Sequence, residues 1–257
     1  MDLTGRDFWN KNWKDNPSST VIDVRRSYIY YRYDQIFSEF FERQKNMKLL
    51  EVGCGNSSWL PYFRTKFGYE VWGIDYSKEG VESALEKLSL PGSDGNIIYG
   101  DIFAQGLLQT NTFDIIVSFG LIEHFSDTSP LINRIVDLMK VNGVLLTSIP
   151  NFSGAMGKFQ KLVNNELYLK HVVYDKEDLF RIHRIDRLEP LLNPTYFGCL
   201  DLNVVRWNKT STALKVMNKI AITVNRCIHY VLKKTGYCPE SQFFSPYIVG
   251  VYRKIKD

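Results

Sequence analysis

The chain is poor in cysteine, and what cysteine it has is scattered. No Cys-x-x-Cys spacing occurs, which argues against a zinc site and against a disulfide-stapled domain. Uncharged apolar runs of eighteen residues or more are also missing, and the first residues carry no apolar signal core, so we expect a cytoplasmic protein without a spanning helix. The four cysteines are Cys54, Cys199, Cys227 and Cys238.

A strong excess of one charge is absent too. The 257 residues contain 32 lysines and arginines against 28 acids, giving a net charge of +4, and the two signs alternate along most of the chain. Nucleic-acid binding usually needs a denser basic stripe, so we expect no nucleic-acid partner. The length allows one good-sized core, so we predict a single domain with elaborations.

The segment 48–57, KLLEVGCGNS, is the most informative stretch of the chain. Its apolar run carries Glu51 and breaks into a turn at Gly53 and Gly55, where a side chain would block close approach of a ligand. Two later apolar runs also end at acids, at Asp75 and Asp101. Three apolar strands with an acid in or just beyond them fit a ligand rich in hydrogen-bond donors.

These motifs resemble those of the class I S-adenosylmethionine-dependent methyltransferases over residues 45–150. The likeness includes Gly73-Ile-Asp75, Gly100-Asp101-Ile102-Phe103 and the fourth strand Phe113-Asp-Ile-Ile-Val-Ser-Phe119. Ser57 stands where many members have a third glycine, and its hydroxyl is expected to cap the following helix. The resemblance implies an α/β fold: a doubly wound, mostly parallel seven-stranded sheet with helices on both faces.

The resemblance also assigns roles in binding S-adenosylmethionine. Asp75 would accept the ribose hydroxyls, and Asp101 the adenine amino group with Ile102 and Phe103 against the ring. Backbone carbonyls near Ser118 and Phe119 would meet the ammonium. The full predicted cofactor set is Glu51, Gly53, Cys54, Gly55, Asp75, Tyr76, Asp101, Ile102, Phe103, Ser118 and Phe119.

A nicotinamide dinucleotide is the nearest competing ligand. Its fingerprint has a third glycine where this chain has Ser58, and it gives no role to the second aspartate. The Tyr-x-x-x-Lys pattern of short-chain dehydrogenases occurs at Tyr62 to Lys66, but it falls in the first helix after the glycine turn. We therefore favour the methyl donor.

The order of apolar and helical segments predicts the architecture. Alternating segments form a parallel sheet wound on both faces, with ligands at the carboxyl ends of the strands. We predict strands at 48–53, 70–75, 96–100, 113–119 and 143–149, helices at 57–67, 78–89 and 128–140, and a closing strand pair at Phe197 to Trp207 and Ser245 to Tyr252. The predicted divisions of the domain 1–257 are a helical cover at 1–45, a cofactor-binding core at 46–150, a substrate-side insertion at 151–195 and closing strands at 196–257 with a helical insertion at 211–235.

The loop after the fourth strand, Ser118 to Phe125, bears on the acceptor. It lacks the Asn/Asp-Pro-Pro-aromatic motif of enzymes that methylate base or glutamine nitrogens, and it resembles the branch acting on small molecules, including ubiquinone-pathway and sugar O-methyltransferases. We predict His124, with Glu123, as catalytic, acting as a general base on an acceptor hydroxyl or, less favoured, beside an amine. His124 holding the loop in place is the alternative.

We predict no metal site. Some ubiquinone-pathway methyltransferases bind magnesium through Glu-x-x-Glu-His, but the first position of that motif is Gly120 here. His171 is the residue that could replace the missing ligand. Asn151 and Tyr168, which follow the fifth strand, are candidates to meet a small-molecule or sugar-like acceptor.

Two helices leave alternatives open. The aromatic stretch from Val24 to Arg43 fits either a helix packed on the sheet edge or a cover over the cofactor. The helix at 211–235 has an apolar side and a basic side, and fits packing on the body, a dimer contact or a peripheral membrane contact. His229 in this helix is expected at the surface. A catalytically silent cofactor-binding protein, and a membrane-associated enzyme for a lipid-linked glycan, are the alternative functions.

Overall fold

The computed structural model describes residues 2–15, 21–25, 27–44, 46–89, 94–207 and 212–257, without the side chain of residue 213. Residues 1, 16–20, 26 and 45 of the predicted cover, and residue 211 of the predicted insertion, lie outside this set. The strands are β1 (Lys48–Val52), β2 (Glu70–Asp75), β3 (Asn96–Tyr99), β4 (Phe113–Phe119), β5 (Met139–Pro150), β6 (Leu188–Phe197) and β7 (Tyr247–Lys254). The α-helices are α1 (Arg6–Asp15), α2 (Tyr28–Phe40), α3 (Trp59–Phe67), α4 (Lys78–Leu88), α5 (Ser129–Leu138), α6 (Ala155–Val163), α7 (Asn165–Tyr168), α8 (Lys176–His183) and α9 (Thr212–Thr235).

The seven strands form one sheet in the order β3-β2-β1-β4-β5-β7-β6. The first five run parallel, and β7 lies antiparallel between β5 and β6. Strand order reverses beside β1, so β1 and β4 leave a crevice at their carboxyl ends where loops diverge. The predicted α/β fold with a mostly parallel seven-stranded sheet is confirmed.

Both faces of the sheet are buried because neighbouring apolar residues along each central strand point to opposite sides. Leu49 and Ile115 face α2 and α3, in a cluster with Phe37 of α2. Leu50 and Ile116 face the other layer, which includes α5 and α8. A fully buried side chain of this size stabilises the fold by about 1.5–3 kcal/mol, so the paired clusters fix the strand positions that carry the site.

The predicted closing strand at Phe197 to Trp207 is wrong. Strand β6 ends at Phe197, where Gly198 has φ +75°, and Asp201 then caps a 3-10 turn at Leu202–Val204. Consequently the last residues of the predicted 151–195 insertion belong to β6. Prolines 190 and 194 hid this strand in the sequence, but β6 is an edge strand with register shifts, where proline is tolerated.

The aromatic helix α2 lies on a sheet face. Tyr33 and Phe37 are buried against the sheet, and the Tyr33 hydroxyl hydrogen-bonds the Ser148 hydroxyl of β5 at 2.5 Å. Helix α1 takes the position over the glycine turn, because a Cβ on Gly55 would lie 2.6 Å from the Trp13 ring. Helix α2 thus packs on the sheet, whereas helix α1 covers the glycine turn.

Candidate active site

The glycine turn after β1 has a backbone that favours glycine. Gly53 has φ +70° and Gly55 has φ +45°, in the left-handed region that other residues rarely adopt. The Gly53 N–H donates to the Ile74 carbonyl at 2.9 Å, and the Gly55 N–H donates to the Asp75 carboxylate at 2.7 Å. The turn is therefore tied to the end of β2.

Three carboxyl groups gather at the ends of neighbouring strands. Asp75 is buried and also accepts the Ser77 N–H at 2.7 Å, while burial raises its pKa to about 6. Glu51 is buried and accepts the Ser57 hydroxyl at 2.6 Å, and burial raises its pKa to about 8. Asp101 is exposed and accepts the Phe103 N–H at 2.9 Å. Two of the acids are thus desolvated, and the third faces water.

All three acids line one cavity of about 1700 Å³. Nine of the eleven predicted cofactor residues lie on its wall: Glu51, Gly53, Cys54, Asp75, Tyr76, Asp101, Ile102, Phe103 and Phe119. Gly55 lies beneath Trp13 and is off the wall. Ser118 is also off the wall, and its buried hydroxyl has no hydrogen-bond partner within the part of the chain that the structure describes. The three acids and the glycine turn therefore border the same cavity.

Helix α1 closes one side of this cavity. Trp9 and Trp13 stack with their ring centroids 5.3 Å apart, and both line the cavity. The Tyr76 hydroxyl after β2 donates to the Asp2 carboxylate at 2.7 Å, which ties the N-terminal segment to the cofactor strands. The sequence predicts only a general helical cover at 1–45, and its two tryptophans are the one feature that points to α1.

The turn after β4 brings Glu123 and His124 into the wall, as predicted. His124 Nε2 lies 3.9 Å from the Glu123 carboxylate. Burial lowers the pKa of His124 to about 4 and raises that of Glu123 to about 8, so both groups are uncharged over much of the range between. His171, from the insertion, places its ring centroid 4.4 Å from that of His124, a contact across 47 positions of sequence.

Several predicted roles do not match the structure. Asn151 donates both hydrogen bonds of its amide to the carbonyls of Gln242 and Ser245, and it does not line the cavity. Tyr168 is likewise off the wall. Ser57, in contrast, lines the wall and makes the predicted capping contact: its hydroxyl accepts the N–H of Trp59, the first residue of α3, at 3.0 Å, although Ser58 holds the N-cap position.

His229 was expected at the surface and is buried instead. Its Nε2 lies 3.8 Å from the Asp201 carboxylate, which also accepts the Asn225 amide at 2.9 Å. The three residues connect α9 to the turn after β6, and all of them line the cavity. The sequence did not predict this buried contact, because Asn225 and His229 are polar residues that interrupt the apolar side of the helix.

Comparison with known proteins agrees with this geometry. Residues 25–189 match the family model of a methyltransferase domain. The chain belongs to that family. It is a class I methyltransferase whose methyl donor is S-adenosylmethionine, and the dinucleotide alternative is set aside. A catalytically silent binding protein is not favoured either.

The methyltransferase is similar to curated and solved proteins along most of its length. It is 25% identical to the ubiquinone biosynthesis O-methyltransferase of Pelagibacter ubique over 84% of this chain and 89% of that protein. Its fold resembles Haemonchus contortus phosphoethanolamine N-methyltransferase 2, with 15% identity and a TM-score of 0.59, covering 88% of this chain and 53% of that one. It also resembles Streptomyces coelicolor geranyl diphosphate C-methyltransferase, with 12% identity and a TM-score of 0.56, covering 87% and 78%.

Proposed function

We propose that the enzyme transfers the methyl group to a hydroxyl of a small, phenol-like or sugar-like acceptor. The observation that carries this proposal is the buried Glu123–His124 pair in the cavity wall, because a hydroxyl acceptor must lose a proton as it attacks. The ubiquinone-pathway relatives, whose names specify O-methylation, support the same choice.

The cofactor assignments follow the strand ends. Asp75 takes the ribose hydroxyls, and Asp101 takes the adenine amino group with Ile102 and Phe103 against the ring. Glu51 and the turn at Gly53 serve the methionine end, and the Phe119 carbonyl serves the ammonium. Cys54 and Tyr76 complete the wall of this half, while Gly55 and Ser118 support it from behind.

The transfer is a direct displacement in which the oxygen–carbon bond forms as the sulfur–carbon bond breaks. The positive charge of the sulfonium is lost, so a dry cavity favours the reaction. His124 is neutral at pH 7 because burial lowers its pKa to about 4, and its Nε2 is therefore free to accept the hydroxyl proton. The imidazolium that forms lies 3.9 Å from the Glu123 carboxyl group, and it returns the proton to solvent after the methyl transfer.

Two variants of His124 separate chemistry from structure. The Nδ1 atom donates to the Lys170 carbonyl at 2.8 Å, a bond that His124→Asn can replace and His124→Ala cannot. We expect both variants to lower turnover on the order of a hundredfold, with the affinity for S-adenosylmethionine within threefold of the parent. The assay is S-adenosylhomocysteine release with phenols and sugars, and with amines as controls. Normal turnover in His124→Asn would refute the base assignment.

We also propose that α9 docks on an anionic membrane surface. Helix α9 carries five basic residues and no acid, and it buries only a narrow stripe that includes Ala221, Asn225, His229 and Leu232. Met217, Ile220, Val224 and Val231 form an exposed apolar stripe at helical spacing. Apolar side chains beside a basic flank suit anionic headgroups better than a second basic copy of the chain.

Within the described residues, no helix is both long and apolar enough to span a bilayer. Liposome flotation with anionic vesicles should fall when Lys215, Lys219 and Arg226 become Glu. The matched control changes the exposed Lys78, Lys176 and Lys256 to Glu. Equal flotation of both triples, or a concentration-dependent dimer abolished by Ile220→Ser, would replace the membrane by another partner. The cytoplasmic location stays a prediction, testable by cell fractionation.

A further inference from the structure

Three metal-ligating side chains meet in the cavity wall. They are Glu123 and His124 from the turn after β4 and His171 from the insertion, and one candidate ligand atom of each lies within 4.8 Å of the others. Ligands around an ion with bonds of about 2.1 Å lie about 3.4 Å apart. Side-chain rotations that close about an ångström would therefore bring the three atoms together.

Both histidines have the same hydrogen-bonding arrangement. Nδ1 of His124 lies 2.8 Å from the Lys170 carbonyl, and Nδ1 of His171 lies 2.7 Å from the Leu167 carbonyl. A carbonyl only accepts, so each Nδ1 carries the proton and each Nε2 is left with its lone pair. This is how metal-binding histidines are usually oriented, because the outer hydrogen bond fixes the tautomer and the ring plane.

Glu123 would provide a negative charge once the ion displaces its carboxyl proton. Its side chain is 3% exposed, and its Oε2 atom is buried with no hydrogen-bond partner among the described residues. Burying an unpaired carboxyl oxygen is costly, and coordination to a cation removes that cost. The other charged groups near the cluster are Asp2 and Lys170, which act on His124 with opposite sign.

Backbone hydrogen bonds hold the two ligand-bearing segments together. The Val172 N–H donates to the Glu123 carbonyl at 2.7 Å, so His171 is fixed beside the turn. Aromatic rings support the imidazoles from outside: Trp9 lies edge-on to His124 at 5.0 Å, and Phe152 lies 4.7 Å from His171 between ring centroids. Ligands supported in this way are preorganised.

The donor set does not fit the magnesium site of the Glu-x-x-Glu-His methyltransferases. Gly120 stands at the first acid, and Mg²⁺ prefers oxygen ligands, whereas two of the three donors here are imidazole nitrogens. We propose that Glu123, His124 and His171 bind a divalent transition ion of the zinc class. This inference rests on the proposed function and deepens it: with the ion bound, His124 Nε2 is a ligand instead of the base, and the ion would acidify the acceptor hydroxyl so that its proton leaves to solvent.

Cobalt is the probe, because Co²⁺ replaces Zn²⁺ and its visible absorption reports the ligand set. The full-length protein, stripped with a chelator and dialysed, is titrated with CoCl₂ and then with ZnCl₂. We expect one equivalent to bind, with an absorption band that Zn²⁺ abolishes and millimolar Mg²⁺ does not. His171→Ala and Glu123→Gln should each weaken Co²⁺ affinity at least tenfold. The control Glu166→Gln, an exposed acid on α7, should stay within twofold.

Folding of each variant is checked by its affinity for S-adenosylmethionine; His171 is only half-buried, so His171→Ala serves if Glu123→Gln misfolds. Absence of Co²⁺ binding by the folded parent, or unchanged affinity in both variants, would overturn the metal site. Methyl release in the chelator-stripped protein tests the function separately. Methyl transfer to a hydroxyl by a protein that binds no metal would refute the metal site alone. Metal binding without methyl transfer to any hydroxyl would refute the proposed function alone.

Discussion

The Asp75 carboxylate accepts the Gly55 N–H, so the acid at the end of β2 holds the turn that follows β1. One carboxyl group thus organises the loop and also lines the cavity. These two roles explain why an acid stands at position 75. Substitutions of Asp75 or Gly55 should therefore disturb both the turn and the cavity wall.

Asp75→Asn should damage both functions of this carboxyl group. Each carboxylate oxygen accepts a backbone N–H, and an amide presents an NH₂ group to one of them, leaving a buried donor unpaired at a cost of about 1–3 kcal/mol. We expect a lower melting temperature and at least a tenfold weaker S-adenosylmethionine affinity by calorimetry. Asp94→Asn, at an exposed ion pair, is the control. Parent-like affinity in Asp75→Asn would show that the side chain does not contact the cofactor.

Gly55→Ala tests the turn and its cover together. The new Cβ would meet the Trp13 ring at 2.6 Å, and the φ of +45° adds about 1–2 kcal/mol of backbone cost. Chemical denaturation should therefore show a large loss of stability in the parent and only the backbone cost in a Trp13→Ala background. Equal losses in both backgrounds would mean that Trp13 does not lie over the turn.

Stability should fall as pH rises from 6.5 to 8. Burial raises the pKa of Glu51 and of Glu123 from 4.5 to about 8, so in this window the folded state binds more protons than the unfolded state. Each group then contributes at most about 2 kcal/mol of lost unfolding free energy over the window. Buried His124 and His183 act in the opposite direction, but only below their unfolded pKa of 6.5.

Urea melts at pH 6.5 and 8 measure this slope. Glu51→Gln should remove part of it, while the exposed Glu86→Gln should leave it unchanged. A slope that is flat or rising in the parent would show that the carboxyl groups ionise normally in the folded state.

Asp201→Ala should loosen α9. The carboxylate accepts the Asn225 amide and the Asn203 N–H, each at 2.9 Å, and lies near His229, so its loss frees the inward side of the helix. Hydrogen exchange across 212–235 should then accelerate at least tenfold, with β1 and β4 unaffected. Thr223→Ala, on the exposed side, is the control. Protection unchanged in Asp201→Ala would place the anchor of the helix elsewhere.

The arrangement of the cavity half that we propose for the cofactor was predictable because its signals are local. Glu51, the glycine turn and Asp75 lie within 25 residues, and the sheet geometry alone brings them to one edge. Asp101 follows the next strand along, so its place was also fixed by strand order.

The acceptor half was not predictable, because its contacts join distant segments. His171 contacts His124 only because the insertion folds back over the turn after β4. Asn151, which its position made a plausible contact for the acceptor, instead donates its amide hydrogens to carbonyls of the 242–245 loop. Prolines in β6 and polar residues on the inward side of α9 interrupted patterns that sequence periodicity depends on. In each case tertiary packing overrode the local signal.

The fastening of the N-terminal segment has a consequence for how the acceptor gets in. The Leu3 N–H donates to the His124 carbonyl at 2.8 Å, and the Asp2 carboxylate accepts a hydrogen bond from the Tyr76 hydroxyl. The N-terminal segment is therefore hydrogen-bonded to both halves of the cavity wall. Helix α9 also lines the cavity, and polar contacts at Asp201 connect it to the turn after β6. We therefore expect bulky acceptors to enter the cavity beside α9. A lipid surface bound to that helix would bring an acceptor directly to this entrance.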